Sequence, residues 1–443
     1  APGKILAPVK QTEAFQKAQK LAQKAMKVKP ATLLSRLEKK YGKERIQKLA
    51  NYSAKTIKEL ESEAETAKEK IPDWFDPTRR KAAEEYNRTA LVRKEEAHQT
   101  LATLYVTMEQ LEDDAENAQP LPKWVAVQFP EIAKRSIDKL AEPIKAKLDG
   151  AKALADSIVA QAPEQSASEV DAELERREPG WVEKLKRLNI YDVVVEAYRK
   201  ENRAEVLKKQ EYREKIFTSF AKRELEGETV ISTQLMEKRP NGSRKLYPTE
   251  FIERHQQAVS MLNIISEVPI EDCMVANSAD LASPAYGPGH ERAFAIPKSN
   301  VEERPSQFHG RTRIFLTNKH KAEIHAHELG HILEESDPYV EEMVQTFLNY
   351  RVGGEKPQSL RKVTGLDYRE TETGRKDNFD RFFDTASAWY VGKEYDKNSE
   401  ILSMGLQALY SDPVGFMEKD PEYAQFVISV LQYKESAKNR GQA

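Results

Sequence analysis

Apolar residues recur at three- and four-residue spacing from residue 11 to about residue 227, in surroundings rich in Lys, Glu, Ala and Gln. The stretch LLSRLEKKYGKERIQKLANYSAKTIKELESEAETAKEKI at 33–71 shows this pattern. The helical period predicts long, mostly exposed helices. Pro and small polar residues interrupt it at 71–77, 119–130 and 161–169, so we expect helix breaks there. The spacing leaves helical hairpins and a coiled coil as alternatives for this half of the chain.

The pattern changes after residue 228, where short apolar runs alternate with loops and helices. Runs of strand character lie at 229–236, 291–297 and 311–317. Helical spacing predicts further helices at 247–265, 321–335, 339–351, 380–391, 398–410 and 420–435. This order of elements predicts a compact α+β unit. We therefore expect an α+β protein that is predominantly α, with a helical region at 1–227 and a second domain with a small sheet at 228–443.

Charged residues make up 32% of the chain, above the roughly 25% of an average protein, which agrees with many solvated helix faces. No stretch of about 18 uncharged apolar residues occurs, and the first residues, APGKILAPVKQ, lack the apolar segment of a signal peptide. We therefore expect a cytoplasmic protein with no membrane partner. The single cysteine, Cys273, excludes an internal disulfide framework and is typical of a reducing compartment.

The charges are distributed unevenly along the chain. Residues 1–50 contain 13 Lys and Arg against Glu13, Glu38 and Glu44, a local balance of +10, whereas the whole chain has a net charge of −2. A basic arm of this kind predicts contact with a polyanion such as a nucleic acid. The alternative is an amphipathic helix whose lysines face water, since no nucleic-acid-binding motif accompanies the charge.

Six of the eight histidines lie between His290 and His331, and the last two belong to the sequence His327-Glu328-Leu329-Gly330-His331. Two histidines four residues apart project from one face of a helix, so both imidazoles can bind one metal ion. Glu328 lies beside them, where a carboxylate can take a proton from a water molecule and deliver it to a leaving amine. The alternative is a helix with two ordinary histidines and a surface glutamate.

Glycine inside a helix costs about 1 kcal/mol relative to alanine, so Gly330 indicates that another element packs closely there. The surrounding residues, IHAHELGHIL at 324–333, resemble the extended motif of the zincin metallopeptidases. This resemblance implies Zn²⁺ as the metal, hydrolysis of peptide bonds and a polypeptide substrate. It also implies an edge strand that pairs antiparallel with the extended substrate, supplied by 291–297 or by 311–317.

A catalytic zinc site has three protein ligands, so a third must lie outside HExxH. Asp337 is in register with the last position of an HExxHxxGxxD pattern, although Glu334 replaces its glycine. The segment NSEILSMG at 398–405 resembles the NExxSD motif of the gluzincin group, which implies Glu400 as the ligand. We expect Glu400 to be the third ligand and keep Asp337 as the alternative. Glu400 also fits a plain helix N-terminal carboxylate, favoured by the helix dipole.

Met404 stands where the gluzincin pattern has an Asp that orients the first histidine, so the residues behind the ligands must differ from that pattern. Asp384 is a candidate for this role, because a metal-binding His usually donates its second N–H to a carboxylate or carbonyl. Four residues are equal candidates for the hydrogen-bond donor to an oxyanion. They are Tyr390, Tyr395, His290 and His309. His325 points to another face of the helix, and we expect it, like Cys273, to serve packing.

The segment EILSMGLQALYSDPVGFMEKDPEYAQFVISVL at 400–431, together with HELGHILE at 327–334, resembles a metallopeptidase-like domain of tailed-phage head-associated and mobile-element proteins. The resemblance covers roughly 290–432. It implies a virion-associated protein, or a component of a prophage-like particle, whose peptidase acts in maturation or on delivery. Residues 11–227 would then contact portal or capsid subunits. The alternative is an assembly protein of such a particle whose zincin-like module is inactive.

Overall fold

The computed structural model describes residues 13–68, 77–161, 167–207, 213–216, 231–235, 247–277, 293–296, 313–395 and 398–433. Helices predominate and a small sheet accompanies them, so the α+β, predominantly α class is confirmed. The chain divides into two compact units, Ala1–Ser136 and Ile137–Ala443. The domain boundary that we predicted near residue 228 lies outside the described residues and stays a prediction. No described helix combines the length and the apolar character needed to cross a bilayer.

The first unit is helical in all its described elements. Its helices are α1 (Glu13–Met26), α2 (Pro30–Tyr41), α3 (Lys43–Ala50), α4 (Ala54–Thr66), α5 (Pro77–Glu116) and α6 (Lys123–Gln128). Helices α1 to α4 all contact the long α5. Their buried apolar residues include Leu34, Ile46 and Ile57, which lie at the helical spacing seen in the sequence. Helix α7 (Pro130–Gln161) begins in this unit and ends in the second.

Three helices of the second unit form a small apolar cluster of their own, centred on Val170, Leu174 and Leu185. They are α8 (Ala167–Arg177), α9 (Trp181–Arg187) and α10 (Tyr191–Leu207). The main core lies farther along the chain and is built by α11 (Thr249–Ile265), α12 (Ala322–Ser336), α13 (Pro338–Val352), α14 (Leu360–Thr364), α15 (Thr385–Val391), α16 (Ile401–Ser411), α17 (Pro413–Lys419) and α18 (Pro421–Leu431).

The main sheet has four strands in the order β1-β2-β4-β3. They are β1 (Ile231–Leu235), β2 (Ile270–Asn277), β3 (Phe294–Ile296) and β4 (Arg313–Leu316). Strands β1, β2 and β4 are parallel, and β3 pairs antiparallel with β4. Each of the three predicted strand runs therefore contains a strand, whereas the central strand β2 was not predicted. A separate two-stranded ribbon joins β5 (Gln358–Ser359) to β6 (Thr373–Gly374).

Strand β3 lies at one end of this sheet and contacts α12, the helix that carries HExxH. Strand β4 lies inside the sheet between β2 and β3. Of the two candidate runs for the edge strand, 291–297 therefore supplies an outer strand of the described sheet and 311–317 does not.

Helices α12 and α16 form the central helix pair of the second unit. Leu329 and Leu333 of α12 are fully buried, as are Leu402 and Leu406 of α16. The close packing that we predicted at Gly330 is confirmed, because the backbone of α16 lies against this glycine. The pair fixes the start of α16 next to the middle of the HExxH helix, which positions the site.

Candidate metal centre

His327 and His331 lie one turn apart on α12 and face the same side of it. Their ring centroids are 5.0 Å apart and the ring planes cross at 81°. His327 is 7% exposed, and Glu328 between them in the sequence is 4% exposed. The apolar flanks of the motif, such as Ala326 and Ile332, belong to the core, so the helix presents its imidazoles from a rigid, buried element.

Glu400 immediately precedes α16 and directs its carboxylate at both histidines. Its Oε2 atom is 3.4 Å from His327 Nε2 and 3.3 Å from His331 Nε2. One ligand atom from each of the three residues lies within 4.8 Å of the others, and Glu400 is only 1% exposed. A buried group of two imidazoles and one carboxylate at this separation could hold a metal ion.

The electrostatics of the three residues are strongly coupled. Burial lowers the pKa of the His331 imidazole, but the carboxylates of Glu400, Glu328 and Glu334 outweigh it and raise that pKa to about 9. Burial acts to raise the pKa of Glu400, yet the imidazoles of His331 and His327 hold it well below its usual range. The centre therefore keeps an ionised carboxylate in a buried place, where it needs a cation beside it.

Two hydroxyl groups fix the Glu400 carboxylate. The Tyr395 hydroxyl donates to Oε1 at 2.5 Å, and the Ser403 hydroxyl donates to Oε2 at 2.8 Å. Although 41% of Tyr395 is exposed, burial of its hydroxyl and the Glu400 charge raise the pKa of Tyr395. These two hydroxyls orient the Glu400 carboxylate.

Two adjacent acids at the end of α12 hold the residues that precede Glu400. The Ser399 hydroxyl donates to Glu334 Oε2 at 3.2 Å, and the Asn398 amide donates to Glu335. Glu334 is fully buried, and burial raises its pKa to about 8. In the sequence, Glu334 stands only as a departure from a glycine pattern, and its contact with Ser399 was not predicted. The signal present in the sequence was a pair of acids in the last turn of the HExxH helix.

Two predicted site residues have other contacts. The Asp337 carboxylate caps α13 by accepting a hydrogen bond from the Tyr339 N–H at 2.8 Å. The Asp384 carboxylate caps α15 in the same way, accepting from the Ser387 N–H at 2.8 Å. Neither belongs to the group formed with His327. The buried Nδ1 atom of His327 has no hydrogen-bond partner among the described residues.

The structure brings both candidate tyrosines to the centre. Tyr390, on α15, stacks on His327 with ring centroids 6.4 Å apart and 18° between the planes. Tyr395 reaches Glu400 through its hydroxyl. His290 and His309, the other two candidates, lie outside the described residues.

His325 lies on another face of α12 and is fully buried. Its Nδ1 atom is 3.4 Å from Nδ1 of His255 on α11, and the His255 Nε2 shares a 2.9 Å hydrogen bond with the Thr233 hydroxyl. Burial lowers the pKa of His255 to about 4 and that of His325 to about 3. Both imidazoles are therefore neutral packing residues near neutral pH, as expected for His325, and Cys273 is likewise buried.

Comparison of the chain with protein-family models, with curated proteins and with solved structures gave no match.

Proposed function

We propose that this protein is a zinc-dependent endopeptidase in which His327, His331 and Glu400 hold the metal. The observation that carries the proposal is the convergence of Glu400 on both HExxH histidines, from a helix far along the chain. Two imidazole nitrogens and one carboxylate oxygen are a donor set that catalytic zinc uses, and it leaves a position open for the reaction. When bound, zinc supplies Lewis acidity to the reacting carbonyl.

Glu328 is the general base of the proposed reaction. It is 4% exposed, and its charge contributes to the raised pKa of His331, which indicates proximity to the metal ligands. A buried carboxylate at this position takes a proton from the attacking water and passes it to the leaving amine. Tyr390 stacks on His327 and Tyr395 contacts Glu400, so both phenols lie at the centre, and one of them would stabilise the charge that develops on the carbonyl oxygen.

A polypeptide substrate agrees with the position of β3. This strand ends the described sheet and contacts the HExxH helix. An extended peptide that pairs with a strand at a sheet edge is bound through its main chain, so the scissile bond could be presented to the metal without a fixed side-chain requirement.

The test measures metal content and cleavage of an unfolded protein substrate by the full chain. We expect one zinc per chain by elemental analysis, and cleavage that Glu328→Gln reduces by several orders of magnitude while zinc content is kept. The matched control is Glu342→Gln, at an exposed position on α13, which should leave cleavage unchanged. A pure protein without stoichiometric metal would contradict the proposal, and full cleavage by Glu328→Gln would remove Glu328 from its role.

We also propose a second role as an assembly component of a phage or prophage-like particle. Its specific support is apolar exposure around α9 and α10, where Leu188 is 59% and Val193 is 71% exposed. Exposed apolar side chains grouped in this way are typical of protein contacts. The two roles are compatible. Co-purification with portal or capsid subunits tests the second role, and a Leu188→Ser, Val193→Ser double variant should reduce it without changing zinc content.

A further inference from the structure

Lys393 is a buried cation close to the metal centre. The residue is 6% exposed and lies two positions after the end of α15 and two positions before Tyr395. Its Nζ atom forms an ion pair of 2.7 Å with Glu372 Oε1. A lysine is seldom buried unless it is paired, so this ion pair explains how the charge is tolerated but not why it lies there.

Three tyrosine rings surround the same ammonium group. The Nζ atom lies 4.6 Å from the ring centroid of Tyr395, 5.6 Å from that of Tyr390 and 5.9 Å from that of Tyr368. These distances are within the range of cation–π attraction, which is strongest where the cation is shielded from water. Tyr368 and Tyr390 also stack on each other with centroids 6.4 Å apart. We call Lys393, Tyr368, Tyr390 and Tyr395 the lysine–tyrosine cluster.

Two members of the lysine–tyrosine cluster contact the metal group. Tyr395 donates its hydroxyl to Glu400, and Tyr390 stacks on His327. One ammonium group therefore lies over both of the rings that contact the metal group. A cation on a ring face attracts the ring and draws electron density from it, which makes the phenol hydroxyl a better hydrogen-bond donor.

The backbone holds Lys393 in place independently of its side chain. The Lys393 N–H donates to the Tyr390 carbonyl at 3.0 Å, and the segment pairs with Gly374 of β6. Gly392, the residue before Lys393, packs tightly against the backbone of Arg375. A Cβ atom added at Gly392 would lie 1.8 Å from the Arg375 carbonyl oxygen. The ammonium group is thus presented from a fixed backbone, which is what a positioning role requires.

We propose that Lys393 is a positioning residue of the peptidase, and that it holds Tyr390 and Tyr395 at the metal centre so that a phenol hydroxyl donates to the oxyanion of the transition state. This proposal rests on the peptidase function proposed above. It assigns a role to a residue outside HExxH and outside the ligand set, and it links that role to Glu372, the partner that neutralises the lysine.

The test uses the full, zinc-loaded chain and the double variant Lys393→Met, Glu372→Gln, which removes both charges and leaves no buried charge unpaired. We expect kcat to fall about 10-fold, while KM and zinc content stay unchanged. A 10-fold fall is what the loss of a cation–π interaction shielded from water would cause if that interaction acts in the transition state. Lys393→Arg should retain most of the rate, because guanidinium also binds ring faces. The control, Lys362→Met at an exposed position of α14, should retain it fully.

Two further experiments distinguish a positioning role of Lys393 from a role in packing alone. One repeats the substitutions in a protein that lacks the two tyrosine hydroxyls, and the other measures NMR signals instead of cleavage. In a Tyr390→Phe, Tyr395→Phe background, the double variant should have no further effect on kcat. In the zinc-loaded chain, the ring carbon NMR signals of Tyr395, assigned by comparison with Tyr395→Phe, should shift in the double variant. An unchanged kcat, or the same fall in both backgrounds, would overturn the role of Lys393 alone. If the unsubstituted zinc-loaded chain cleaves no peptide, the peptidase function fails and the role of Lys393 fails with it.

Discussion

Gly330 on the HExxH helix lies directly against the backbone of Ser403 on α16. A Cβ atom at position 330 would be 2.6 Å from Ser403 Cα and 2.9 Å from Ser403 N. Both neighbouring atoms are backbone, so no side-chain rotation could relieve the contact. Because Glu400 immediately precedes the helix that carries Ser403, the missing side chain at position 330 sets the distance between Glu400 and the two histidines.

Gly330→Ala should therefore destabilise the second unit and weaken metal binding together. Forcing the helices apart costs about 1–3 kcal/mol, which exceeds the roughly 1 kcal/mol that alanine gains over glycine in a helix. We expect a lower thermal midpoint and a lower zinc affinity. Gly150→Ala is the matched control, since Gly150 lies inside α7 with nothing within 4 Å of an added Cβ. That variant should gain stability, and a gain at both positions would contradict the role given to Gly330.

Ser403→Ala should reduce zinc affinity by about 10-fold to 100-fold, the usual cost of removing a hydrogen bond that orients a metal ligand. The serine hydroxyl donates to the Glu400 oxygen that faces both histidines. Competition with a chromogenic chelator measures the change. Ser429→Ala is the comparison, because Ser429 is also a buried helical serine but donates to the Gln425 carbonyl. Equal zinc affinities in the two variants would show that the Ser403 hydroxyl does not orient Glu400.

The His255 imidazole should make the protein less stable in mild acid. Its pKa is about 4 in the folded protein because of burial, against about 6.5 in an unfolded chain. Between these pH values the unfolded state binds more protons than the folded state. The contribution of neutral His255 to the free energy of unfolding is therefore complete above pH 6.5 and is lost as the pH falls towards 4. The loss is at most about 1.4 kcal/mol per pH unit for one histidine.

Urea unfolding of the full chain at pH 7.5 and pH 5.5, roughly one unit on either side of the unfolded histidine pKa, measures this effect. His255→Gln keeps a group that can hydrogen-bond Thr233 but does not titrate. We expect the unsubstituted chain to lose more stability between the two pH values than His255→Gln does. The difference reports on His255 together with His325, whose pKa is lowered in part by the His255 imidazole beside it. Equal losses would mean that His255 is not held neutral by burial.

Local patterns in the sequence were sufficient for most elements but not for the centre of the sheet. Strand β2, at Ile270–Asn277, carries the acidic pair Glu271 and Asp272 directly after Ile270, and this pair interrupts the apolar run that would mark a strand. Its pairing with β1 and β4 depends on partners more than 30 residues away on either side. A strand that is defined by such distant neighbours leaves little trace in a short window of sequence.

The three residues of the candidate metal group were predictable, because HExxH places its two histidines on one helix face and Glu400 followed from its motif. The contacts that hold Glu400 were not. Tyr395 was one of four candidates for the oxyanion, and its bond to Glu400 depends on the turn between α15 and α16. Glu334 and Ser399 meet only because α12 and α16 pack closely. Such contacts are set by tertiary packing, which no local spacing encodes.

The basic arm that we predicted to bind nucleic acid is partly neutralised within the first unit. Lys17 forms an ion pair with Asp113, and Lys40 forms ion pairs with Glu109 and Glu112, so the acidic end of α5 faces part of the arm. In contrast, Lys20, Lys24 and Lys27 are exposed and form no ion pair within the described part of the chain. These three lysines are therefore available for contact with phosphates.

A nucleic-acid contact through this arm is best tested by replacing Lys20, Lys24 and Lys27 with Gln. Deleting the arm would also remove Leu34 and Ile46, which are fully buried, and so would unfold the first unit. Each lysine that binds a phosphate contributes about 0.9 to the slope of log affinity against log salt concentration, so the triple variant should lower that slope by up to about 3. Lys55→Gln is the control, because Lys55 already pairs with Glu59. An unchanged slope would assign the three lysines to solvation of the helix surface.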